Sequence, residues 1–79
     1  MDQELLSLID LKEGQKGIIN TVIGGRGAVK KLADLGLTPR TEIKILKKIP
    51  YHGPVEIQVR GSNLVLGRGI ASKVMVEPK

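Results

Sequence analysis

Residues 30–40, Lys-Lys-Leu-Ala-Asp-Leu-Gly-Leu-Thr-Pro-Arg, carry the change from helix to sheet on which the reading of this chain turns. Upstream and within it, Ala28, Val29, Leu32, Ala33 and Leu35 recur at the three-and-four spacing that gathers side chains on one helical face, with Lys30, Lys31 and Asp34 left for water. Gly36 is the residue type that takes positive φ just past a helix end, and Pro39 forbids the helix from resuming. The spacing therefore predicts a short helix over about residues 26–35. From Thr41 the apolar period becomes two, so Leu37 is expected as a plug between helix and sheet.

Working outward, Ile18 to Ile23 is rich in β-branched residues and reads as a first strand, preceded by the polar turn Lys12–Gly17 and ended by Gly24-Gly25. Thr41 to Ile49 reads as a long second strand. It places Ile43, Ile45 and Ile49 on one face with Lys47 intruding, and Glu42, Lys44, Leu46 and Lys48 on the other. Pro50-Tyr51-His52-Gly53-Pro54 is a turn. Val55, Ile57 and Val59 alternate with polar residues in a third strand, Gly61-Ser62 is a tight hairpin, and Asn63–Leu66 returns as a fourth. Ile70 and Ala71 fit one helical turn before a last strand over 73–77. Residues 2–11, with Leu5, Leu6, Leu8, Ile9 and Leu11, are expected as an extended or single-turn apolar flap. The sum is a mainly β domain over 1–79, a small five-stranded SH3-like barrel with one short α-helix.

Size and composition narrow the function. A chain of 79 residues without cysteine has a small core, no disulfide and no cysteine-based zinc site. No apolar run approaches the roughly 20 residues of a spanning helix, and Met1 to Leu5 include two acids, so neither anchor nor signal is expected and a cytoplasmic home fits. Of the formal +5, the segment 26–68 holds nine Lys or Arg against three acids, a basic middle between nearly neutral ends. Tyr51 is the only aromatic, which argues against the stacking platforms of single-strand binders and against a proline-peptide groove. No specific nucleic-acid partner is expected.

Candidate chemistry is sparse. His52 is a lone histidine in a turn, and a solvated side chain is the simpler account of it than a metal ligand. The carboxylates are scattered, and Ser7, Ser62 and Ser72 lack an evident base, so no catalytic residue, metal ligand or cofactor is assigned. Gly24-Gly25-Arg26-Gly27 resembles a phosphate cradle at a helix start, but its spacing matches neither the dinucleotide nor the Walker pattern, and a structural turn is the better account. Gly67-Arg68-Gly69 is read likewise. More telling are Leu46, Met75 and Leu37, apolar residues expected to face water, beside Lys47 and Lys48. An apolar patch rimmed by lysines is what a protein partner uses, although a lysine pair late in a strand also serves as a solvated edge.

Taken in order, Leu8-x-x-Leu11-x-x-Gly14, a β-rich strand with Gly-Gly, Lys31-Leu32-x-x-Leu35-Gly36-Leu37-Thr38-Pro39, Pro50-x-x-Gly53-Pro54, Val55-x-Ile57-x-Val59-x-Gly61 and Ala71-x-x-Val74-x-Val76 resemble the FeoA family. These are small cytoplasmic proteins of bacterial ferrous iron uptake. The resemblance implies an SH3-like fold and a non-enzymatic accessory role on the cytoplasmic side of a membrane ferrous iron transporter bearing a GTPase domain. The expected partner-binding residues are Leu35, Gly36, Leu37, Pro39, Arg40, Leu46, Lys47 and Lys48, with Leu37 central, and weak self-association is allowed for. Where the family usually has Gly after the Pro, this chain has Arg40, which favours a type I turn over type II. Alternatives are a basic nucleic-acid or ribosome-binding module and a metal-responsive regulator-type domain acting with a partner chain. Direct iron carriage is disfavoured by the lack of a ligand cluster.

Overall fold

The period-two segments pair into one antiparallel sheet, and the computed structural model describes residues 4–79 of it. The strands are β1 (Leu6–Ser7), β2 (Lys16–Val22), β3 (Glu42–Lys48), β4 (Val55–Val59), β5 (Ser62–Leu66) and β6 (Val74–Pro78). Helix α1 spans Arg26–Asp34, and α2 spans Arg68–Ala71. The ladder runs β1-β6-β2-β3-β4-β5. This is the small mainly β barrel expected from the pattern, with one strand more than the five predicted. The extra strand lies in the flap: Leu6 and Ser7 pair with Val76 and Met75, and Leu8–Asp10 then form a 3-10 turn started by the Ser7 hydroxyl. The part of the flap before Glu4 lies outside the described residues.

Inward positions of β2, β3, β4, β5 and β6 supply Ile19, Ile43, Ile45, Ile57, Leu66 and Val76 to a single core, to which the 3-10 turn adds Leu8 and the helices add Leu32 and Ala71. Two irregularities alter the outward faces. In β2 the register skips between Ile19 and Thr21, and in β3 between Ile45 and Lys47. An extra residue in one strand moves every later side chain to the opposite face. Leu46 is the extra residue in β3, so Lys47 lies opposite Glu56 on the outer face and Lys48 opposite inward-facing Val55.

The helix ends as its punctuation predicts. Gly36, at φ 89, follows the C-cap Leu35. The Gly36 N–H donates to the Ala33 carbonyl and the Leu37 N–H to the Leu32 carbonyl, both at 2.9 Å. These are the two bonds of a Schellman motif, and its usual apolar contact is supplied by Leu32 and Leu37, each 1% exposed. Leu37 is therefore a core residue. Its expected place at an exposed loop tip is corrected, because the Schellman turn aims the side chain into the barrel.

Replacing Leu37 by Ala is expected to cost about 2–5 kcal/mol, the range for emptying a buried leucine site, seen as a lower urea midpoint. A change to Asp is expected to prevent folding, so it is unsuited to testing an interface.

Candidate functional site

Two turns with left-handed residues define one end of the barrel. In the first, Thr38-Pro39-Arg40-Thr41, the Thr41 N–H donates to the Thr38 carbonyl at 3.2 Å and Arg40 takes φ 73. Positive φ at the third position after a proline is the type II arrangement. The type I turn expected for an arginine is thus not formed. The reason lies in β2: the Arg40 N–H donates to the Ile19 carbonyl at 2.7 Å, and the Ile19 N–H donates to the Thr41 carbonyl at 2.9 Å. Ladder pairing just ahead of the start of β3 fixes the peptide direction and overrides the preference of the side chain.

The second turn joins β4 to β5 through Arg60 and Gly61, at φ 50 and φ 79, between the paired Val59 and Ser62. Positive φ at both central residues is the hairpin type that suits strand twist. From there Arg60 folds back. Its Nη2 donates to the Thr41 hydroxyl at 3.2 Å, and its Cδ lies 3.6 Å from where a Cβ on Gly36 would sit. The Thr38 and Thr41 hydroxyls are 3.0 Å apart, which satisfies Thr41, the one buried polar residue among those described. One guanidinium so links the helix exit, the Thr-Pro turn and the β4–β5 hairpin.

Beside this clasp lies an open cleft of about 670 Å³, lined by Lys16, Arg40, Glu42, Lys44, Gln58 and Arg60 among others. Strand register builds its floor: Lys16 opposes Lys44, and Lys44 opposes Gln58. Glu42 is the acid of the lining. It meets Lys79, whose side chain donates to its Oε1, and Lys16 at 4.0 Å. The hydrogen bond from Lys79, and after it the charge of the same lysine, holds the Glu42 carboxyl below the usual carboxylate range.

The residues expected to bind a partner fall into three groups. Leu35, 40% exposed, and Pro39 and Arg40 are accessible beside the helix exit, with Gly36 half-buried next to Arg60. Leu37 is in the core. Leu46 is half-buried and Lys47 exposed, seven residues along from Arg40 and so about 23 Å away at strand rise. Lys48 is committed elsewhere: its Nζ donates to the carbonyls of Ile9 at 2.7 Å and Leu11 at 3.0 Å, closing the far end of the barrel. The bulge at Leu46 turns it there, away from the exposed face that Lys47 occupies. At that far end, Tyr51 and His52 occupy a hairpin turn at φ 60 and φ 63, and Tyr51 is 96% exposed.

Sequence reasoning missed Lys16, Lys44, Gln58 and Arg60. The signal available was Val-Arg-Gly-Ser between two alternating runs, which fits a two-residue Arg60-Gly61 hairpin and sets the register of β4 and β5. Among the described residues no group of three or more His, Asp or Glu is placed to hold a metal, and no helix is long and apolar enough to cross a membrane.

Comparison with known proteins gives a consistent picture. The FeoA domain model matches residues 6–78. Fe(2+) transport protein A of Methanocaldococcus jannaschii is 38% identical over 66 residues, which span 84% of this chain and 78% of that one. The crystal structure of an iron uptake regulatory protein (FeoA) superposes with a TM-score of 0.89 at 37% identity, covering 96% of this chain and all of that one. A manganese-dependent transcriptional repressor superposes with a TM-score of 0.90 over 44% of its own length, but at 14% identity this shows the fold alone.

Two outcomes test the geometry. Arg40→Gly is expected to raise stability by about 1 kcal/mol or less in urea unfolding, the left-handed cost of a side chain less the backbone entropy of glycine. Glu42 has a depressed folded-state pKa, so its contribution is present above the ordinary carboxylate pKa and is lost as pH falls through the folded value. Glu42→Gln is expected to flatten the acid side of the stability profile and leave the neutral side parallel.

Proposed function

The chain belongs to the FeoA family, and we propose that it is a non-enzymatic accessory protein of ferrous iron uptake, docking on the cytoplasmic side of a membrane ferrous iron transporter, at its GTPase domain, and modulating transport. The observation that supports this reading is the family match, which takes in all the strands and both helices of the barrel. Two features of the fold agree with it. The interior is filled by apolar side chains, so the accessible chemistry lies on the outer surface. That surface presents Leu35, Pro39 and Arg40 together at the helix exit, an apolar and cationic combination suited to a protein contact.

In the corrected account of the contact, Leu35 is the apolar element and Arg40 the charged one. Leu37 supports both from beneath. Lys47, exposed at the other end of β3, contributes to long-range attraction more than to the bound contact.

The reading is tested by titrating isotope-labelled protein with the G domain of the cognate transporter, loaded with GDP and then with a GTP analogue. Amide shifts clustered at residues 35–44 and differing between the two states are the expected result. Absence of shifts in both states at high concentration would remove the G domain from the account. Leu35→Asp, at an exposed position, is expected to weaken the complex while leaving the spectrum of the free protein folded.

A further inference from the structure

The basic cleft beside the Arg60 clasp has an arrangement that folding alone does not ask for. Lys16, Lys44, Gln58 and Asn63 stand opposite one another in successive strands, a row of two cations and two amides across four strands on the face away from the core. Like charges directly opposite in a sheet are destabilising. Lys44 forms no ion pair among the described residues, and Glu42, the acid of the cleft, is occupied by Lys79 and Lys16. Arg40 and Arg60, two further cations of the lining, both sit at positive φ, where glycine or asparagine is the easier choice. Among the described residues the side-chain hydrogen bonds of Arg60 are made by Nη2 alone, and Nε and Nη1 make none. Four cationic side chains are thus held around one concavity, two of them at a backbone cost.

We propose that this cleft is a receptor for a carboxylate-rich segment of a protein partner. The inference deepens the docking reading and rests on it only for the identity of the partner. The chemistry of the lining selects among anions. Lysine, arginine and glutamine side chains all donate to carboxylates, and the free Nε and Nη1 of Arg60 each offer a single donor to a carboxylate oxygen. A volume of about 670 Å³ accommodates a few side chains of an extended segment. Nucleic acid fits less well, since no aromatic lines the cleft and Tyr51 lies in the hairpin at the far end of β3.

The test titrates the isotope-labelled full chain with three probes at about 150 mM salt: acetyl-hexaglutamate amide, its glutamine counterpart, and a single-stranded hexathymidylate. Saturable shifts at Lys16, Arg40, Lys44, Gln58 and Arg60 with the glutamate peptide, and none with the glutamine peptide, are expected. Lys44→Gln is expected to weaken that binding about tenfold or more, whereas Lys73→Gln, at an exposed position outside the cleft, should leave it unchanged. Equal or tighter binding of hexathymidylate would replace the proposal with a nucleic-acid site. Unsaturable shifts spread over all lysines, or no effect of Lys44→Gln, would overturn it. Peptide binding at the cleft with a silent G domain would sustain this inference and sink the docking on that domain. G-domain shifts with no response to the peptide would do the reverse.

Discussion

The Leu37 N–H to Leu32 carbonyl bond, with both side chains sealed in the core, is the constraint from which the rest of this small barrel follows. It ends the helix, reverses the chain and delivers Thr38-Pro39 at a fixed angle to the sheet. The next residues then have no freedom. Arg40 and Thr41 must complete the pairing to Ile19, and that pairing sets the start of β3, on which the register of β2 and β4 depends. A core of this size has few places to distribute strain, so one well-sealed turn governs much of the architecture.

Helix α1, its end at Gly36 and the alternation of β4 are visible in the sequence because each rests on local rules: apolar period, a residue able to take positive φ, a proline that stops propagation. The burial of Leu37 was legible too, in its role as a plug, and the error was to ask the same side chain to face a partner. What escaped was non-local. The bulge at Leu46 exchanges the faces of Lys47 and Lys48, and nothing in Ile-Lys-Ile-Leu-Lys-Lys marks it, since only the match to β4 decides where the extra residue sits. Arg40 shows the same limit from the other side: its side chain prefers one turn, and hydrogen bonding to Ile19, far back in the chain on β2, imposes another. The cleft was invisible for the same reason, being the product of register between Lys16, Lys44 and Gln58 and of a hairpin that folds Arg60 back over Gly36.

The two ends of the barrel divide the labour. At the far end, Lys48 spends its charge on the carbonyls of Ile9, in the 3-10 turn, and Leu11, just past it, and Glu13 accepts the Lys48 backbone N–H at 2.7 Å, so the flap is tied to β3. At the near end the cations gather with one carboxylate among them. Charge that is neutralised locally holds structure, and charge left in excess projects a field into solvent. The asymmetry gives the domain an electrostatic direction that its modest net charge of +5 conceals.

Tyr51 stands alone at the tip of the β3–β4 hairpin, almost wholly in water, in a chain without tryptophan or phenylalanine. The protein is consequently close to dark in the near ultraviolet, and what light it does absorb and emit comes from a side chain with no contact in the core. Its intrinsic fluorescence would stay nearly constant through melting of the barrel and change when something settles on that hairpin. Optically, the molecule is blind to its own unfolding and sighted only at one corner of its surface.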